Sequence, residues 1–234
     1  MITFNGRSSD DFGIVVQYHP NDMIPSLCYE SVKVAGRNGE LHFSEHSYAN
    51  VTRHYEIFLN TEADGFASGV RGLAEWLCSA DGYCRLTDSY DPTVFYLARY
   101  LGGTEVENKA IRYGTAEIEF DCYPQKFLLS GETVTTIATS GAVINNPSYC
   151  ASKPLLEVTC SGDGLITIGD KTLTIADIDD TFFLDCDIEE AFTAVDNYNS
   201  NISGSYPVLT SGNNTITFSG DITEIKITPR WWKL

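Results

Sequence analysis

Apolar and polar positions alternate along most of this chain, and the period changes clearly in one place. In TAEIEFDCY, Ala116, Ile118, Phe120 and Cys122 take one side of the alternation and Glu117, Glu119 and Asp121 the other. A period of two places successive side chains on opposite faces, which predicts a half-buried antiparallel strand. Tyr55, Ile57 and Leu59 in VTRHYEIFL form a second such face, and the opening MITFNG is strand-like as well. Val32 and Val34, then Leu41 and Phe43, flank the cluster Gly36-Arg37-Asn38-Gly39. Asn-Gly between two alternating runs predicts a hairpin, because both residues accept positive φ.

In GFASGVRGLAEWLCSA the period lengthens. Phe66, Val70, Leu73, Ala74 and Leu77 follow the spacing of an amphipathic helix over about 65–80, with Asp64 placed to cap it and Asp81-Gly82 to stop it. Gly69 and Gly72 weaken that helix, so it is expected to depend on packing against a sheet. Trp76 is expected at its edge.

After Pro124 the composition shifts. SGETVTTIATSGAVINNPSY is poor in large apolar residues and reads as a connector. Beyond it, PLLEVTCSGDGLITIGDKTLTI predicts three short strands separated by Gly162-Asp163-Gly164 and Gly169-Asp170-Lys171, and more strands follow. Closely spaced strands without a helical period indicate a β-sandwich. The expectation is a mainly β protein in two domains: 1–130, α+β with one helix on an antiparallel sheet, and 131–234, a sandwich.

Charge narrows the partners. The net charge is −17, with nine basic and eighteen acidic residues in 1–125 and six and fourteen in 126–234. Neither half offers the clustered Lys and Arg that a phosphate backbone needs, so direct nucleic-acid binding is not expected. No apolar run approaches the ~20 residues of a membrane helix, and no basic segment precedes an apolar one at the start, so neither membrane insertion nor a signal peptide is expected. Seven cysteines without a C-x-x-C pair read as free, mostly buried thiols in a protein made in a reducing cytoplasm.

Chemistry is sparse. Asp177, Asp179, Asp180, Asp185, Asp187, Glu189 and Glu190 lack the glycine of a calcium loop and are interrupted by Thr181-Phe182-Phe183-Leu184. The strand reading points Phe182, Leu184, Cys186 and Ile188 inward and Asp185 and Asp187 to water. His42, Glu45, His46 and His54 suggest a metal, but the i, i+4 pair lies in a β context and the H-E-x-x-H order is absent. No G-x-S-x-G, P-loop or dinucleotide fingerprint occurs. Neither a catalytic residue nor a cofactor is predicted. Trp231 and Trp232 are adjacent, so on a strand one can enter the core while the other meets solvent, a partner or a sugar.

Taken in order, several segments resemble siphophage distal tail proteins. They are FNGRSSDDFGIVV, VAGRNGEL, AEWL, NPSYCASKPLLEVTCSGDGLITIG, FLDCDIEEAF, YPVLTSGNNTITFSG and the ending ITPRWWKL. The resemblance implies a structural protein forming a hexameric ring at the distal end of a non-contractile phage tail, assembled in the bacterial host. The N-terminal part, with its sheet closed as a split barrel, would make the ring between the tail tube protein and the tip hub protein. The C-terminal sandwich, of galectin-like type, would carry receptor-binding parts. A ring needs complementary edges, and the strand with Ile2 and Phe4 and the hairpin tip at Gly36, Arg37, Asn38 and Gly39 are candidates, with Trp231 and Trp232.

The alternative is a carbohydrate-binding sandwich for host attachment, resting on the tryptophans and the Asn/Gly loops. In YPVLTSGNNTITF the favoured reading is a turn at Ser211–Asn214, with Asn and Gly present for positive φ and Ile216 and Phe218 pointing inward.

Overall fold

The alternating runs pair into antiparallel ladders in a computed structural model that describes residues 1–17, 21–61 and 65–234. The chain divides into two units, Met1–Lys126 and Phe127–Lys233. Mainly β structure with one α-helix is what the alternation predicts, and it is what forms.

The first unit contains β1 (Ile2–Phe4), β2 (Arg7–Ser8), β3 (Ile14–Val16), β4 (Leu27–Lys33), β5 (Glu40–Tyr48), β6 (Val51–Asn60), helix α1 (Phe66–Leu77), β7 (Cys84–Asp88), β8 (Val94–Tyr100), β9 (Glu107–Ala110) and β10 (Tyr113–Cys122). Its main sheet runs β2-β1-β7-β8-β10-β6-β3, with β9 beside β10, while β4 and β5 form a separate two-stranded hairpin. The backbone of this sheet is the β6–β10 pair, in register from Val51↔Cys122 to Asn60↔Tyr113. Tyr55, Ile57 and Leu59 of β6 and Ile118 and Phe120 of β10 are fully buried, as the alternation predicts. Asp121 departs from it. It is buried, and its carboxylate accepts hydrogen bonds from Asn50 Nδ2 (3.0 Å), Tyr83 OH (2.6 Å) and Arg99 Nε (2.9 Å). Those three donors replace the water that a polar outward position would have used.

Helix α1 lays Leu73, Trp76 and Leu77 into the core. Ala74 is exposed, contrary to its place in the predicted stripe. Ala74 and Trp76 stand on opposite flanks of that stripe, and burying the larger indole removes more apolar surface from water. Trp76 therefore lies in the interior rather than at the edge. Its ring stacks on Phe12 (centroids 5.5 Å, 18°), and its N–H points at the carbonyls of Arg7 (3.2 Å) and Phe4 (3.4 Å). Gly69 permits the close approach of helix to sheet, since a Cβ there would sit 2.0 Å from Thr61 Cγ2. The helix begins after Gly65, which provides no side-chain cap; the predicted cap Asp64 lies outside the described residues.

The second unit contains β11 (Lys126–Leu128), which straddles the division, then β12 (Thr135–Ile137), β13 (Ala142–Asn146), β14 (Leu155–Ile168), β15 (Lys171–Asp185), β16 (Glu190–Phe192), β17 (Ile202–Gly204), β18 (Gly212–Thr228) and β19 (Trp232–Lys233). The predicted break at Gly162-Asp163-Gly164 is not a turn between strands. β14 runs through it, and the register against β15 and β18 shifts there instead. A bulge bends a strand while keeping it paired on either side. Gly220 stands at this bend with φ 80°, and a Cβ on it would lie 2.3 Å from the Asp163 carbonyl oxygen, so the crossing requires glycine.

Bending divides the three long strands into two halves. One half adds β12 and β16 at its edges, the other β13 and β17. Buried residues of both halves, among them Val158, Phe182 and Ile225 from one and Ile166, Leu173 and Ile216 from the other, form a single apolar cluster. Both halves of the sandwich thus come from continuous strands folded over one core.

Phe182, Leu184 and Cys186 point inward as predicted, but Ile188 is exposed because β15 ends at Asp185. Asp185 is buried rather than solvated, held by both Nη atoms of Arg230 at 2.7 and 2.9 Å and by the Asp187 N–H at 2.9 Å. Burial alone would raise its pKa, and the Arg230 and backbone hydrogen bonds outweigh it, leaving the carboxyl below its ordinary value. A carboxyl depressed in the folded state stabilises the fold above its unfolded pKa of about 3.9, and that contribution fades as pH falls through the folded value. Asp185→Asn is therefore expected to flatten the loss of stability below about pH 4. Urea midpoints measured between neutral and acid pH for both proteins check this, and parallel curves would remove the pair from the account of acid sensitivity.

Candidate functional site

The hairpin of β4 and β5 is where this fold leaves its own pattern unsatisfied. Its strands pair in register from Lys33↔Glu40 to Tyr29↔Ser44, with a bulge before Leu27↔Tyr48. Positive φ occurs at Gly36, Gly39 and His46, the last within the bulged strand. The loop between the strands spans 34–39, and Asn38 is not among its positive-φ residues, so the predicted hairpin forms around a longer turn than Asn-Gly alone.

Val32, Leu41 and Phe43 share one face of this ribbon, and Tyr29 and His42 share the other, their rings meeting edge-on at 4.9 Å. Both faces are wet. Phe43 is 56% exposed and Tyr29 54%, and Leu27, Val32, Val34 and Tyr48 are exposed as well. A lone two-stranded hairpin is marginal in water, and exposed apolar side chains gathered on one rarely lack a partner.

The residues predicted to form an interface separate into three groups. Ile2 and Phe4 are buried, and β1 is paired on both sides, with β2 and β7, so these two side chains line the core of the first unit. Gly36, Arg37, Asn38 and Gly39 are exposed at the hairpin tip. Trp231 is buried in the core of the second unit while Trp232 is half-buried and donates its N–H to the Ala151 carbonyl (2.9 Å). The adjacent tryptophans do diverge, one inward and one outward.

The Asn/Gly loops are occupied internally. Asn214 is buried, accepts from the Thr210 N–H (2.8 Å) and donates to the carbonyls of Thr210 (2.7 Å) and Gly212 (2.9 Å). Gly212 takes positive φ at 81°, but neither asparagine does. Asn214 is there to close the turn with its amide.

Several titratable groups are absorbed into structure. Arg53, buried, donates to Asp22 (3.2 Å) and Tyr55 OH (3.3 Å) and lies over the Tyr96 ring at 4.2 Å. Burial pushes the Tyr96 hydroxyl up to about 12 against the opposing influence of Arg53. Cysteines 122, 150, 160 and 186 are buried and all seven are free; burial pushes the Cys122 and Cys186 thiols up to about 12, far from reactive thiolates. The four residues weighed for a metal do not gather. His42 Nδ1 lies 3.0 Å from Ser31 Oγ, whereas His54 joins Glu117 and Glu119. Among the described residues no helix is long and apolar enough to cross a membrane.

Sequence reasoning missed the exposed apolar side chains of the hairpin as a site. The signal was present: Val32, Leu41 and Phe43 alternate as a face to be buried, but alternation does not say against what.

Residues 8–122 match a phage tail protein RIFT-related domain. No curated protein sequence matches the chain. Its fold is similar to the crystal structure of the SPP1 Dit (gp 19.1) protein, described as a paradigm of the hub adsorption apparatus in phages infecting Gram-positive hosts. The two superpose with a TM-score of 0.77 at 17% identity, over 100% of this chain and 98% of the other.

Proposed function

We propose, from the match of residues 8–122 to a phage tail protein RIFT-related domain, that this chain is a distal tail protein building a ring at the tail tip. The observation that carries the ring is the exposed β4–β5 hairpin. Its apolar side chains find no cover within the chain's described residues, and a neighbouring subunit presenting a complementary surface would bury them. The hairpin tip at Gly36–Gly39 then reaches the neighbour, and six subunits close the ring.

The ring would join the tail tube protein to the tip hub protein, with receptor-binding proteins docked at the periphery and Trp232 as one candidate contact in the second unit. Its place is the virion, at the distal end of the tail. The role is structural, without turnover. A carbohydrate-binding module is less well supported, because Asn214 and Trp231 are both used inside the fold.

Light scattering across a concentration series, with negative-stain imaging of the same samples, tests the assembly. Six-fold rings with a central hole are expected. A chain that stays monomeric at every concentration, and also when mixed with its tube and hub neighbours, would overturn the ring.

A further inference from the structure

One cluster of ligating side chains is used neither by the core nor by the proposed interface. His54 lies on β6, Glu119 directly opposite it on β10, and Glu117 two residues along the same strand. Cross-strand partners and residues two apart share a face of a sheet, so all three project from one side. His54 Nδ1 stands 3.0 Å from Glu117 Oε1 and 3.3 Å from Glu119 Oε1, and the three donor atoms all lie within 4.8 Å of one another.

We propose that His54, Glu117 and Glu119 form a binding site for a divalent metal ion of the zinc class. Zinc binds imidazole nitrogen and carboxylate oxygen at about 2.0–2.2 Å, so neighbouring donors of a tetrahedral centre stand about 3.3–3.6 Å apart. The two nitrogen–oxygen separations are already close to that edge length, and small rotamer changes complete it.

Charge supplies a second, independent reason. Glu56 is opposite Glu117 in the same ladder and is likewise exposed, so carboxylates face each other across the strands. Directly opposed like charges destabilise a sheet. Three carboxylates share this face with a single imidazole, and a divalent ion offsets part of their charge. The scaffold is also suited to the task, because the β6–β10 pair is the longest continuous ladder of its unit and holds the donors on strands rather than loops.

Donor chemistry sets the metal. A mixed nitrogen and oxygen set favours zinc, cobalt or nickel over calcium and magnesium, which prefer oxygen-only shells. The three side chains remain about half exposed, at 46%, 57% and 44%, which leaves an entry path and a coordination position for water.

The test is calorimetric titration of the chelator-treated full chain with Zn²⁺ at neutral pH, repeated with Co²⁺ for its tetrahedral absorption band. One saturable equivalent is expected, weakened tenfold or more in both His54→Ala and Glu119→Gln, unchanged in His42→Ala and not displaced by equimolar Ca²⁺. Circular dichroism and urea midpoints of the variants, all at exposed or half-exposed positions, show that folding is intact. If wild type binds no saturable equivalent, or binds as tightly as His54→Ala, the cluster is an exposed ion pair only and the proposal falls.

Discussion

Replacing Trp76 by alanine is expected to remove about 3–5 kcal/mol from the first unit, the range for deleting a large aromatic from a core. The indole is fully buried, stacks on Phe12 and donates its N–H toward two carbonyls of the N-terminal segment. Alanine leaves a cavity that a rigid sheet cannot collapse into, and it frees α1 from the turn carrying Phe12. A domain's stability is of order 5–15 kcal/mol, so the loss is a large share of the total. Trp76→Phe retains a stacking ring and sacrifices the donor and part of the volume, and it should cost appreciably less. Amide exchange at Ile118 and Phe120, with urea denaturation, measures both variants. Alanine within about 1 kcal/mol of wild type would show that the site collapses or that the indole is not anchored as described.

Charged residues on the hairpin are expected to dissolve the proposed ring without unfolding the subunit. Tyr29 and Phe43 lie on its two faces and are more than half exposed, so Tyr29→Glu and Phe43→Glu remove little that the isolated chain has buried. Exposed substitutions of this kind shift stability by about 0.5 kcal/mol or less. At an interface each truncated aromatic anchor costs about 2 kcal/mol, and two together weaken association roughly a thousandfold. Val195→Glu, at a position 90% exposed in the second unit, serves as the control. Light scattering should show rings for wild type and the control and monomers for the double variant. Rings that persist in the double variant would move the interface away from the hairpin.

Both predictions turn on side chains whose character was legible and whose setting was not. The helix could be read at 65–80 because Phe66, Val70, Leu73 and Leu77 fix a stripe, yet Trp76 and Ala74 flank that stripe alike. Packing against Phe12 decided between them. The second unit's strands could be read from their alternation, but Gly162-Asp163-Gly164 serves a turn or a bulge equally well as a sequence. Continued pairing of β14 with β15 and β18 on both sides of it made it a bulge.

Asp121 and Asp185 show a different limit. Both sit where alternation assigns water, and both are buried because Arg99 and Arg230, distant in the chain, arrive to hold them. Their partners lie 22 and 45 residues away, beyond the reach of any local pattern. The cluster of His54, Glu117 and Glu119 was hidden for the same reason, since its members meet through the register of β6 with β10.

What the sequence by itself determined is local: the strand faces, the helix, the hairpin, the acidic balance and the shift in composition after Pro124. Periodicity carries that information because it depends on neighbours two to four residues apart. Tertiary structure decided which apolar faces find a partner inside the chain. The face of β6 and β10 does, under α1 and the rest of the sheet, and among the described residues the faces of β4 and β5 do not. The physical reason is that alternation records a demand for burial, and only the arrangement of the strands shows whether the chain meets that demand or leaves it to another molecule.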